Sequence, residues 1–295
     1  MILLFEAVPL VGMSTIDDED FEPAERDVKT GTFRYTLADG TKIQLPTAML
    51  SVTQMTMYMK CPAQYEKRYV QGLRSPPGIA LIEGSSNHAA LEYQNKYEIA
   101  HDSPAPLKKV LSHFGDDLTT RAKEVPASEW RREGESRDVV YNRGVGLLTT
   151  YMRTMAGKRF KPVSAEAGFQ VSVKGVPFQG FIDLAEEDKV WDYKVVSKTS
   201  LTKYKSGVHK DIQLSAYAYV TGKKFVGFVP LVKQTGEVLV IPSTRNKNTG
   251  LGFEEMLIRV AKGISSGSFP LTMPDSWFCN PKWCGFYKAC RGRFE

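Results

Sequence analysis

Asp183, Asp192 and Lys194 lie in two segments that read as neighbouring strands, VPFQGFIDLA and KVWDYKVV, joined by Glu186-Glu187-Asp188. A turn centred between Glu187 and Asp188 gives an antiparallel register in which Asp183 stands directly opposite Asp192. Carboxylates held that close repel each other unless one keeps a proton or a divalent cation lies between them. Lys194 follows Asp192 by two positions, and the two-residue period of a strand directs both side chains to one face. Oxygen ligands of this kind favour Mg2+ or Mn2+, and an adjacent ammonium can position a nucleophile or offset charge growing on a phosphoryl group. The chemistry suggested is hydrolysis of a phosphodiester. An isolated Asp…Asp-x-Lys set also fits an ordinary surface ion pair, so the surrounding elements must decide.

Those elements alternate in character. The 295 residues carry a net charge of +6 and 42% hydrophobic residues, as ordinary globular chains do, and the positive balance permits an anionic partner without requiring one. The apolar opening MILLFEAVPLVGM is short, lacks a basic start and contains Glu6, so it reads as neither signal peptide nor membrane span, and a cytoplasmic location is expected. Met13 offers a second start, and the acidic, proline-containing stretch after it suggests a mobile segment over residues 1–30. Residues 31–47 read as a hairpin about Ala38-Asp39-Gly40. A helical region over 48–160 includes a helix capped by Ser51 and kinked at Pro62, and others near 85–100, 105–124 and 137–157. The α+β core over 161–268 begins with three strands forming a meander, then a helix near 210–221, strands near 224–230 and 237–241, and a helix near 250–265.

On these residues the chain resembles the RecB-like branch of the PD-(D/E)xK nuclease superfamily. The meander's Gly180-Phe181-Ile182-Asp183 and Asp192-Tyr193-Lys194 match its G-x-x-D and D-x-K; Gly84 through His88 match its glycine followed by a helical histidine; Gln213 and Tyr217 match its Q-x-x-x-Y. The resemblance implies an α+β fold with a central mixed sheet flanked by helices and interrupted by a helical insertion. It implies that His88, Asp183 and Asp192 bind the metal with the backbone carbonyl of Tyr193, that Lys194 is the catalytic lysine, and that Gln213 and Tyr217 orient DNA or the centre. Glu166 corresponds to an acidic position of the family, and Glu92 lies one turn beyond His88 on the same helix face.

Cys61, Cys279, Cys284 and Cys290 form a second constellation, three of them within twelve residues over a tail at 269–295 that is expected to pack back on Cys61. Four thiolates suit one tetrahedral or cluster site and would close a loop of more than 200 residues. Members of the RecB-like branch such as the AddAB nuclease and the CRISPR-associated exonucleases hold a 4Fe-4S cluster with one early and three late cysteines, and this resemblance implies such a clasp. Four residues separate Cys279 from Cys284, an interval that keeps zinc open as the alternative. Lys198, Lys203, Lys205 and Lys210, in an acid-free loop after the catalytic strand, and Arg68, between Tyr65 and Tyr69, are candidate phosphate contacts. The expected activity is metal-dependent DNA hydrolysis, exonucleolytic, in phage or bacterial recombination, repair or replication. The alternatives are an endonuclease of the same fold and a non-catalytic DNA-binding or scaffolding subunit. No P-loop is apparent, so unwinding would need a helicase or recombination partner; the oligomeric state is unread.

Overall fold

The computed structural model describes residues 26–28 and 30–293, the last without its side chain. Most of the expected mobile segment, with Met13, lies outside them. A hairpin opens the described chain: β1 (Phe33–Thr36) pairs antiparallel with β2 (Lys42–Leu45). α1 (Val52–Lys60) starts where Ser51 accepts a hydrogen bond from the Gln54 N–H, as its residue type predicts. The kink expected at Pro62 is a full break. Cys61 is extended, with φ −157° and ψ 97°, because the following proline disfavours helical backbone, and α2 (Pro62–Tyr65) restarts with proline at its first position. A π-helical turn, Glu66–Val70, follows.

α3 (Ile79–His101) begins six residues before the expected Ser85, so Gly84 lies inside the helix rather than ahead of it. α4 (Leu107–Ala122), α5 (Ala127–Glu133) and α6 (Arg137–Thr154) complete the helical region. β3 (Ser164–Val173), β4 (Val176–Ala185) and β5 (Lys189–Val196) form the meander. The lysine-rich segment read as a loop is a helix, α7 (Lys198–Gly207): Ser197 caps it by accepting from the Ser200 N–H, and Leu201 and Tyr204, three apart, pack inward on one side. α8 (Ile212–Thr221), β6 (Phe225–Val232), β7 (Ile241–Thr244), α9 (Lys247–Ser265) and α10 (Tyr287–Cys290) follow. The strand expected at 237–241 is displaced: Val238 makes an isolated bridge to Leu231, and pairing with β6 resumes at Ile241.

The sheet order is β3-β4-β5-β6-β7, mixed in sense, with β5 and β6 parallel and the β4–β5 and β6–β7 pairs antiparallel. α7 and α8 fill the parallel crossover from β5 to β6. The chain divides into two compact units. The described part of the first comprises Pro76–Gly168 and Phe181–Thr249; that of the second comprises the described residues of 26–75, Phe169–Gly180 and 250–293.

In the first unit α3, α4 and α6 pack over β5 and β6 around Leu91, Phe114, Leu148, Tyr151, Trp191, Tyr193 and Val229. Gly144 lets α6 approach α4, since a Cβ there would stand 2.0 Å from the Phe114 ring. A buried ion network fixes α3: Glu83, with no exposed surface, accepts from Arg143 at 2.6 and 2.9 Å and from Lys233 at 2.6 Å. Two cations on one enclosed carboxylate supply the compensation that burial demands. In the second unit Phe178 meets Phe253 edge to face at 5.3 Å, and Tyr65 stacks on Phe269 at 6.1 Å.

Candidate active site

The β4–β5 ladder pairs Leu184 with Trp191 and Ala185 with Val190, the register that the turn predicts. The same register carried one step further from the turn sets Asp183 opposite Asp192, and Asp183 Oδ2 accepts the Tyr193 N–H at 2.7 Å. Asp192 is wholly buried. The Lys194 ammonium stands 2.7 Å from its Oδ2, yet neither carboxylate oxygen has an aligned hydrogen bond. Burial pushes the Asp192 carboxyl upward, against the pull of the Lys194 charge, and Asp183 adds repulsion. Lys194 loses solvation too, but Asp192 outweighs that loss and holds it protonated.

α8 clamps the lysine from its other side. Lys194 Nζ donates to Gln213 Oε1 at 2.9 Å, and Gln213 Nε2 donates to the Tyr217 hydroxyl at 2.6 Å, one helical turn away. α3 delivers His88, whose Nδ1 lies 3.4 Å from Asp183 Oδ2. Burial opposes protonation of this imidazole, but Asp183 and then Asp192 overcome it and raise its pKa. His88 beside Asp183 and Lys194 beside Asp192 thus set one basic group against each acid.

Tyr193, between the second aspartate and the lysine, is anchored by its hydroxyl, which meets Asn95 Nδ2 at 2.9 Å and the Tyr151 hydroxyl at 2.7 Å. The surrounding sheet face opens into a pocket lined by Gly84, Ser85, His88, Glu92, Glu166 and Lys194, with Arg121 from α4. Glu166 has φ +48° within β3, a left-handed backbone that L residues adopt at a cost of about 1–3 kcal/mol. Burial, then the charges of Asp183 and Glu92, raise its carboxyl pKa to about 7.

His88, Glu166, Asp183, Asp192, Tyr193, Lys194, Gln213 and Tyr217 are therefore brought to one centre. Lys198, Lys203, Lys205 and Lys210 are exposed on α7 and the turn after it. Arg68 is partly buried, with its guanidinium 5.6 Å over the Tyr69 ring; Tyr65 is core. Two residues of this centre escape sequence reasoning. Arg121 carries no local signal, and Tyr204, whose hydroxyl is raised by burial and feels Lys194 and Asp192, sits where a loop is expected.

The four cysteines line a single cavity of the second unit, with Ala63, Lys67, Phe278 and Phe286. Burial and the nearness of Cys61, Cys279 and Cys290 raise the Cys284 thiol. Among the described residues no set of three His, Cys, Asp or Glu side chains is drawn together as a finished metal site, here or at the carboxylates. The buried oxygens of Asp192, without an aligned hydrogen bond and with only the Lys194 ammonium to offset their charge, nonetheless suit a hard cation, because an enclosed charge requires compensation.

Residues 49–291 match the sequence profile of the PD-(D/E)XK nuclease superfamily. The chain belongs to that superfamily. The Gene 69 protein of Mycobacterium phage D29 is 24% identical over 283 residues, covering 84% of this chain and all of that protein. Two solved structures share less with this PD-(D/E)XK chain. A presumptive exonuclease from Eubacterium rectale has TM-score 0.49 and 15% identity, over 77% of this chain and 91% of its own. SSO0001 has TM-score 0.35 and 13% identity, over 70% and 84%. As a member of this superfamily the protein is a nuclease. Among the described residues no helix is long and apolar enough to cross a membrane.

Proposed function

We propose that the protein is a Mg2+- or Mn2+-dependent DNA exonuclease of the RecB-like branch, serving phage or bacterial recombination, repair or replication. The observation that carries this reading is the convergence of Asp183, buried Asp192 and Lys194 under the register of β4 and β5. His88, Asp183, Asp192 and the Tyr193 carbonyl would hold the cation, which when bound supplies a Lewis acid and a water of lowered pKa. Lys194, held between Asp192 and Gln213, presents its ammonium to the scissile phosphate and offsets the charge that grows there. Glu166, titrating near neutrality, takes up a proton at its carboxylate. Lys198, Lys203, Lys205, Lys210 and Arg68 contact the phosphates of the strand.

The four-thiol cavity would hold a 4Fe-4S cluster, with zinc as the alternative, and act as a structural clasp within its unit. A helicase or recombination protein supplies any unwinding.

End-labelled linear DNA and closed circular DNA, each incubated with Mn2+, test the activity. Release of labelled mononucleotides or short products from linear DNA alone is expected. Cutting of the circle would make it an endonuclease, and binding without cleavage of either substrate would overturn the catalytic reading.

A further inference from the structure

Next in sequence to Phe278 and Cys284 of the cysteine cavity lies a surface that the proposed cleavage does not use. Trp277 and Trp283 are 68% and 56% exposed, with Met273 beside them in sequence at 68%. The two indole rings meet edge to face, 5.9 Å apart at 77°, so they form one platform rather than two scattered side chains. Lysines attend both: Lys60 Nζ lies 5.3 Å from the Trp277 ring and 4.4 Å from that of Phe278, and Lys282 Nζ lies 5.1 Å from the Trp283 ring. From Phe269 to Arg293 the sequence has one acid, Asp275, against Lys282, Lys288, Arg291 and Arg293.

Large aromatic rings left in water forgo burial, and a paired set marks a surface made for contact. An apolar protein partner would match the rings but leave the ammonium groups unpaired. A polyanion with open π-faces satisfies both, and only unpaired nucleobases offer those faces along a phosphate chain.

We propose that Trp277 and Trp283, with Lys60 and Lys282, form a stacking platform for single-stranded DNA, distinct from the pocket at Asp183. The inference rests on the reading of the substrate as DNA. Bases lie on the exposed indoles, while the two lysines turn from the rings to the phosphates.

Oligo(dT) and a blunt duplex of equal length, added to the full chain in EDTA so that nothing is cut, separate this proposal from the hydrolytic one. Oligo(dT) is expected to quench tryptophan emission, and Trp277→Ala and Trp283→Ala to weaken its binding about tenfold each while duplex binding stays unchanged. Lys60→Glu and Lys282→Glu, exposed charge reversals that leave the rings in place, should weaken binding and flatten its salt dependence. Unchanged oligo(dT) affinity in all four variants overturns the platform. So does a change in sedimentation of the tryptophan variants with no change in affinity, which would make this face a contact between copies of the chain. Binding at the platform without Mn2+-dependent cleavage would overturn the exonuclease reading and leave the platform standing.

Discussion

The carboxylate centre of the first unit and the thiol cavity of the second differ in what holds them before any metal arrives. Asp183 is tied to the backbone of Tyr193, Lys194 lies between Asp192 and Gln213, and His88 rides on a helix anchored through Glu83. Hydrogen bonds and ion pairs thus preorganise that centre. The cysteines share a cavity, but neighbouring side chains give them little such support, and Cys284 is raised by burial and by its three companions. A catalytic site must keep its geometry through turnover, whereas a structural metal site, as proposed for the thiols, would take its order from the metal.

Substitutions can break that contrast. Lys194→Ala should lower kcat about 10³-fold while the fold survives, because Asp192 then takes up a proton; initial rates and thermal unfolding check both halves. A rate within tenfold of the parent would remove the lysine from the chemistry. Glu83→Ala leaves Arg143 and Lys233 without their buried partner and should cost about 3–5 kcal/mol in urea unfolding. Retention of parental stability would mean that α3 is held by apolar packing alone.

Cys290→Ala should abolish thiolate–iron absorbance near ~400 nm. It should also destabilise the second unit by about 2–3 kcal/mol, the scale on which a bound group biases folding. A colourless, zinc-containing parent would refute the cluster.

The smallest effect concerns Glu166. Its carboxyl moves from the usual 4.5 to about 7 in the folded chain, so folding retains a proton that the unfolded chain releases. Stability from this group is full below its unfolded pKa, falls as pH rises toward 7 and is flat above it. Glu166→Gln should remove that slope. After discounting for partial exposure the difference is on the order of 1 kcal/mol. Melting temperature followed against pH in EDTA reads it, and parallel profiles would show that Glu166 does not titrate there.

The register of β4 and β5 was legible because strand period and turn length are local properties: once Glu187-Asp188 is placed at the turn, the pairing of Leu184 with Trp191 follows. Gln213 and Tyr217 were singled out by the resemblance, since residues one helical turn apart are by themselves an ordinary helix face. α7 was hidden by its lysines, whose charge outweighs a two-residue apolar signal from Leu201 and Tyr204 in any reading by composition. Glu166 was visible as an acid, but not its left-handed backbone, which depends on what surrounds β3. Asn95 and Tyr151 reach the Tyr193 hydroxyl from far along the chain, a relation that no local pattern carries.

The second unit is assembled from three separate stretches of chain, and the last of them holds three of its four cysteines. Synthesis therefore sets an order. The residues of the nuclease centre, all before position 218, leave the ribosome earlier, whereas the thiol cavity stays incomplete until Cys290 emerges. More than 200 residues must follow Cys61 before its companions in the cavity are made. A stop codon before Cys279 would leave a second unit with a single thiol.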